Sequence, residues 1–147
     1  MRTVKKNVYY CEYCKKHGLS APHIVRHERG CTNNPGRACG MCRAGELEQQ
    51  PIERLLACLP DCPDPSLQMW PESSPEGEQY MGQCRRLECG MKALRELCQQ
   101  CPACIAAALR QREIPWHAAD FDFQKECKEF WKNVNDANEY CGGVGAD

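Results

Sequence analysis

Cys11 and Cys14 stand two residues apart, twelve residues separate Cys14 from His27, and three separate His27 from Cys31. Two residues between thiolates let one tight turn aim both sulfurs at a single ion. The four-residue step from His27 to Cys31 puts both side chains on one face of a helix. Three sulfurs and an imidazole form a tetrahedral set that zinc accepts. With every position filled by protein, the ion is structural and leaves no open site for water. A segment this small cannot bury enough apolar surface to fold alone. Metal binding then supplies the folding energy, on the order of 10–16 kcal/mol apparent for structural zinc in finger peptides.

The neighbouring residues agree with that spacing. Val8, Tyr9 and Tyr10 favour a strand leading into the Cys11/Cys14 knuckle. Ser20 can cap a helix, Pro22 fits its opening turn, and Ile24 faces a small core. On Tyr9, Cys11, Cys14, Ile24, His27 and Cys31 the segment 8–32 resembles the ββα zinc-finger family, with cysteine as the last ligand. The family's core aromatic is replaced here by Gly18 or Leu19, so a shallower core is expected. His17 and His23 lack the four-residue step to Cys31 and are read as non-ligands.

Fourteen of the 147 residues are cysteine. The start, Met1 to Lys6, has no apolar core of a signal peptide, so reduced thiols, a cytoplasmic setting and metal rather than disulfides are expected. Cys39-Gly-Met-Cys42 is a second knuckle in need of two partners. Cys101-Pro-Ala-Cys104 is the favoured pair, because Pro102 places it at a helix start, where the dipole and free N–H groups favour thiolates. That arrangement resembles the treble-clef zinc architecture. Cys58 and Cys62 are the alternative pair. Two zinc ions are thus expected, and Cys58, Cys62, Cys84 and Cys89 leave room for a third. Cys98-x2-Cys101-x2-Cys104 has the close spacing of iron–sulfur ligands but lacks the fourth cysteine of that pattern. Cys101 and Cys104 also resemble the dithiol of glutaredoxin-like oxidoreductases, without the preceding strand such a fold needs. Cys127 is read as packing and Cys141 as free.

The net charge of −1 conceals an asymmetry. Residues 1–45 carry nine basic and two acidic side chains, a net +7, and the rest of the chain carries −8. We divide the chain into a basic finger and knuckle module (1–45), a short helix near 50–58 with a Pro-rich linker (46–83), a helical part (84–141) and a disordered tail (142–147). Helices are expected over 84–100, from Pro102 to about 112, and over 123–139 with Asp120 or Asp122 as cap. Phe123, Cys127, Phe130, Trp131, Val134 and Ala137 form an apolar stripe read as core, with docking onto another protein as the lesser reading. The fold class is a small zinc-stabilised α+β protein, an N-terminal ββα finger and knuckle attached to a mainly α-helical C-terminal part.

No transmembrane run, phosphate loop, dinucleotide turn or HExxH motif is present, and His117 stands apart from any second base. A non-enzymatic protein with no membrane partner is expected. The leading reading is nucleic-acid contact through the basic module. Ser20, His23 and Arg26 lie where finger helices meet base edges, and Lys15, Lys16 and Arg29, with Lys5 and Lys6, can neutralise phosphates. The competing reading is a zinc-clamped adaptor whose basic patch binds an acidic protein surface. Tyr9 to Cys14, Asn34-Pro-Gly-Arg37 with Cys39/Cys42, Cys101 to Cys104 leading into Ala107 to Gln111, and Phe130-Trp131 are similar to motifs of small zinc-finger proteins of tailed phages and prophages. That resemblance implies a host-cell cytoplasmic location, supports pairing Cys39/Cys42 with Cys101/Cys104, and carries no activity.

Overall fold

A computed structural model describes residues 1–142, with side-chain environments through 139. The expected tail falls outside these residues except for Gly142, which closes the last helix; the side chain of Cys141 is also outside them. Two two-residue strands, β1 (Tyr9–Tyr10) and β2 (His17–Gly18), pair antiparallel and are followed by α1 (Ala21–Gly30). Then come α2 (Gly40–Ala44), α3 (Ile52–Ala57), a 3-10 turn (Pro65–Leu67), α4 (Pro75–Leu97), α5 (Pro102–Gln111) and α6 (Phe123–Gly142). Among the described residues the architecture is an α-rich α+β fold with one hairpin.

The helical core forms around α5. Ile105 to Leu109 are all buried, so this helix is enclosed by its neighbours rather than lying on the surface. Its run of Ala106, Ala107 and Ala108 keeps the helix thin enough for close approach. Leu55 of α3, Leu87, Met91 and Leu94 of α4, and Ile114 and Phe121 beyond α5 complete the cluster. Gln99 and Gln100, at φ 54° and 63°, turn the chain sharply from α4 into α5.

Two expectations change. The long helix starts at Pro75, inside the stretch read as linker, rather than near 84. Ser74 caps it, with the Gly77 N–H donating to Ser74 Oγ at 3.1 Å, and Pro75 occupies the first turn. The opening turns are polar and Pro/Gly-rich, which hid their periodicity. Secondly, the α6 stripe joins the core only at its start, where Phe123 packs against the helical cluster. No side chain over 123–139 is fully buried, and Trp131 is 41% exposed. The helix is capped by Asp122, whose Oδ1 accepts from the Lys125 N–H at 3.1 Å. Arg95 on α4 anchors it through a two-pronged pair with Glu126 at 2.7 and 2.8 Å.

Gly90 marks where α4 crosses the turn after α3. A Cβ built there lies 2.6 Å from the Cys58 carbonyl oxygen and 2.9 Å from Pro60 Cδ. Gly90→Ala gains about 1 kcal/mol of helix propensity but forces the helix off a backbone atom, at a typical cost of about 1–3 kcal/mol. The expected net result is a lower melting temperature, measured by circular dichroism.

Candidate metal centres

The hairpin and α1 build the first cluster. The register pairs Tyr9 with Gly18 and Tyr10 with His17, and the Cys11 N–H donates to the Lys16 carbonyl at 2.9 Å to close the knuckle. Inside that turn, the Tyr13 N–H points at Cys11 Sγ and the Lys16 N–H at Cys14 Sγ, both at 3.4 Å. His27 comes from the last turn of α1, and Cys31 is the residue that caps it. Cys14 Sγ and His27 Nε2 are 3.2 Å apart, and the ligand atoms of Cys11, Cys14, His27 and Cys31 all lie within 4.8 Å of one another. Ile24, with Cys11 and Cys31, is the entire local core. Ser20 stands at the helix start without a side-chain capping bond, contrary to the expected cap; its carbonyl instead accepts from the Ile24 N–H. The Glu12 N–H donates to Glu28 Oε1 at 2.9 Å and ties the knuckle to α1.

The second cluster joins distant parts of the chain. Cys39 caps α2 and its Sγ accepts from the Cys42 N–H at 3.4 Å. Cys101 occupies the cap position of α5, and Cys104 lies in its first turn. Cys39 Sγ and Cys101 Sγ are 3.6 Å apart, and Cys42 Sγ and Cys104 Sγ are 3.5 Å apart. All four side chains are buried and their sulfurs lie within 4.8 Å of one another. A tetrahedral zinc with bonds of about 2.3 Å needs sulfurs about 3.8 Å apart, so both spacings fit a shared ion.

The electrostatics agree with that fit. Cys39 is held far below the ordinary thiol range by hydrogen bonds from Cys101 and Cys104, whereas Cys101 is pushed far up by donating to Cys104 and Cys39. Burial, then the charge on Cys104, raises Cys42. Four packed thiols therefore cannot all ionise together unless a cation joins them. In the finger, burial opposes ionisation of Cys14, but the Lys16 N–H and the neighbouring thiols outweigh it, and its pKa is lowered. Burial chiefly raises Cys31.

Arg37 is a feature that spacing did not reveal. It is only 6% exposed, and its Nη1 reaches Cys104 Sγ at 3.7 Å. Its Nε has no hydrogen-bond partner. Burial disfavours the charged guanidinium, yet Cys104, Cys39 and Cys101 overcome this and hold it protonated. Gln49 fixes the same loop: its Oε1 accepts from the Cys39 N–H at 2.6 Å and its Nε2 donates to the Arg37 carbonyl at 2.8 Å. The only sequence signal for Arg37 was an arginine beside a knuckle, indistinguishable from the other basic residues around it.

Cys58, Cys62, Cys84 and Cys89 do not form a third cluster among the described residues. The unbroken α4 explains this, because Cys84 and Cys89, five residues apart, point about 140° apart around a helix. Cys58 and Cys62 are likewise not partners of Cys39/Cys42. Cys98 stays outside the four-sulfur group; its Sγ donates to the Arg95 carbonyl at 3.8 Å, and burial pushes its pKa up to about 11. Cys127 is half-buried on α6.

The residues read as nucleic-acid contacts occupy two surfaces. His23, Arg26 and Arg29 step along α1 and are exposed, with Ser20 half-buried at its start. Lys15 and Lys16 are exposed on the turn between β1 and β2. Thr32, just past the finger, accepts at Oγ1 from Arg110 at 2.7 Å and at its carbonyl from Gln111 at 2.9 Å, which seats the finger on the end of α5. Among the described residues, no helix is long and apolar enough to cross a membrane. No family model, curated protein or solved structure matches the chain, so the likeness to finger and phage proteins rests on the short motifs, and the case for metal rests on the two four-ligand clusters.

Proposed function

We propose that this chain is a zinc-clamped, non-enzymatic scaffold that contacts nucleic acid through its basic N-terminal module. The observation that carries the reading is the two four-ligand clusters, one closing the finger and one fastening the module to α5. Zinc is the metal that best suits closed sets of sulfur and imidazole ligands. Lys5, Lys6, Lys15, Lys16, Arg26 and Arg29 are left exposed, while Arg37 is consumed by the second cluster. None of the thirteen described cysteines is in a disulfide, in keeping with action in a reducing cytoplasm, that of a bacterial host if the gene is phage-borne. The Cys101/Cys104 dithiol reading is weakened by the placement of both sulfurs against Cys39 and Cys42.

A gel-shift titration tests the reading. Four phosphate contacts make affinity fall about 100-fold between about 50 and 200 mM salt on duplex, somewhat less on single strands. Absence of binding to DNA and RNA at the lower salt overturns it. The adaptor reading is favoured by one observation. Phe130 and Val134 line a groove of about 870 Å³ beside the exposed Trp131. Failure of nucleic-acid binding, with capture of a protein partner that Trp131→Ala weakens, would move the function there.

A further inference from the structure

We infer that the outer face of the hairpin is a stacking platform for a single-stranded polynucleotide, with Tyr10 and His17 taking bases and Lys5, Lys6, Lys15 and Lys16 taking phosphates. This rests on the nucleic-acid reading and names the form of the ligand. Paired residues of an antiparallel ladder share a face, and successive residues alternate. A Cβ at Gly18 would lie 3.6 Å from Ile24 Cδ1, so the Tyr9/Gly18 pair faces α1 and the finger core. The Tyr10/His17 pair therefore faces the other way.

Those two rings are 5.4 Å apart between centroids and tilted by 35°, and Tyr10 is 66% exposed. His17 Nδ1 donates to the Lys15 carbonyl at 3.4 Å, which ties the ring to the turn. Lys15 and Lys16 form the turn between the strands, Lys5 and Lys6 lie on the segment entering β1, and all four are exposed. Of the two acidic residues in this module, Glu28 is engaged by the Glu12 N–H. An exposed aromatic pair on segments that also carry exposed cations is the composition that holds single strands without base-edge readout. Bases inside a duplex offer only their edges, so a protruding aromatic face has nothing there to stack on. The α1 row of His23 and Arg26 belongs to a different surface.

Fluorescence anisotropy on the metal-loaded full chain tests this, with short dye-labelled single strands of DNA and of RNA and a duplex of equal length. The single strand is expected to bind more tightly than the duplex. Tyr10→Ala should weaken single-strand binding about 5- to 150-fold, the loss of one stacked base. Tyr10→Phe should retain it, His17→Ala should weaken it, and Lys128→Ala, at an exposed position of α6 outside the basic module, should leave it close to the parent. Preference for DNA or for RNA supports the inference equally and identifies the sugar. Metal content and melting of each variant verify the fold, and Tyr10 is exposed enough that both should match the parent. Duplex preference, with loss in Arg26→Ala and none in Tyr10→Ala, overturns the platform while leaving the nucleic-acid reading intact. Absence of binding to any of the three probes removes both.

Discussion

Cys104→Ser is expected to halve the metal content from two ions to one and to abolish the cooperative melt of the helical part. Cys104 is 1% exposed, and Cys101 beside it is fully enclosed. The hydroxyl is a poor ligand in place of a thiolate, and three packed thiols would remain around a vacated centre with the Arg37 guanidinium still buried against them. Structural zinc contributes on the order of 10–16 kcal/mol in finger peptides, and a whole domain is stable by only about 5–15 kcal/mol. Loss of one such ion is therefore about as large as the whole margin. Elemental analysis gives the stoichiometry and circular dichroism the melt. The finger ligands are untouched, so its single remaining ion should stay bound.

Arg37→Met is the second large effect. Four thiolates around a divalent ion carry a net −2, and Arg37 is the one buried charged side chain among the described residues. Methionine keeps the volume and removes the positive charge. Outer-shell partners of metal ligands typically affect affinity about 10- to 100-fold, and that loss is expected at the four-cysteine centre alone. Arg37→Lys should recover part of it, since a compact ammonium supplies charge without the planar fork. Competition with a chromophoric chelator separates the two sites. Equal weakening of both, or of neither, would remove the counter-charge role.

The sequence made the two halves of the metal chemistry unequally readable. The finger ligands sit within one local segment, where each interval is set by a turn or by a helix repeat. Cys39 and Cys101 are 62 positions apart, and no spacing rule reaches that far. Choosing Cys101/Cys104 over Cys58/Cys62 depended on the two-residue spacing of a knuckle and on Pro102 as a helix start, with the phage resemblance in support. The structure places the former pair on the second knuckle. The start of α4 was concealed because its first turns are polar and Pro/Gly-rich and carry no apolar rhythm. The α6 stripe misled for the opposite reason: its rhythm is genuine, but periodicity identifies an apolar face without saying what covers it. Arg37 was illegible because burial of a charge is decided by tertiary neighbours.

The measurement that bears most directly on the chelation claim is a thermal melt of the chain stripped of metal in reductant and chelator, beside the same protein reloaded with zinc. The expected result is a featureless trace for the stripped chain and recovery of a single sharp transition at two zinc per chain. An unchanged transition and spectrum without metal would contradict it.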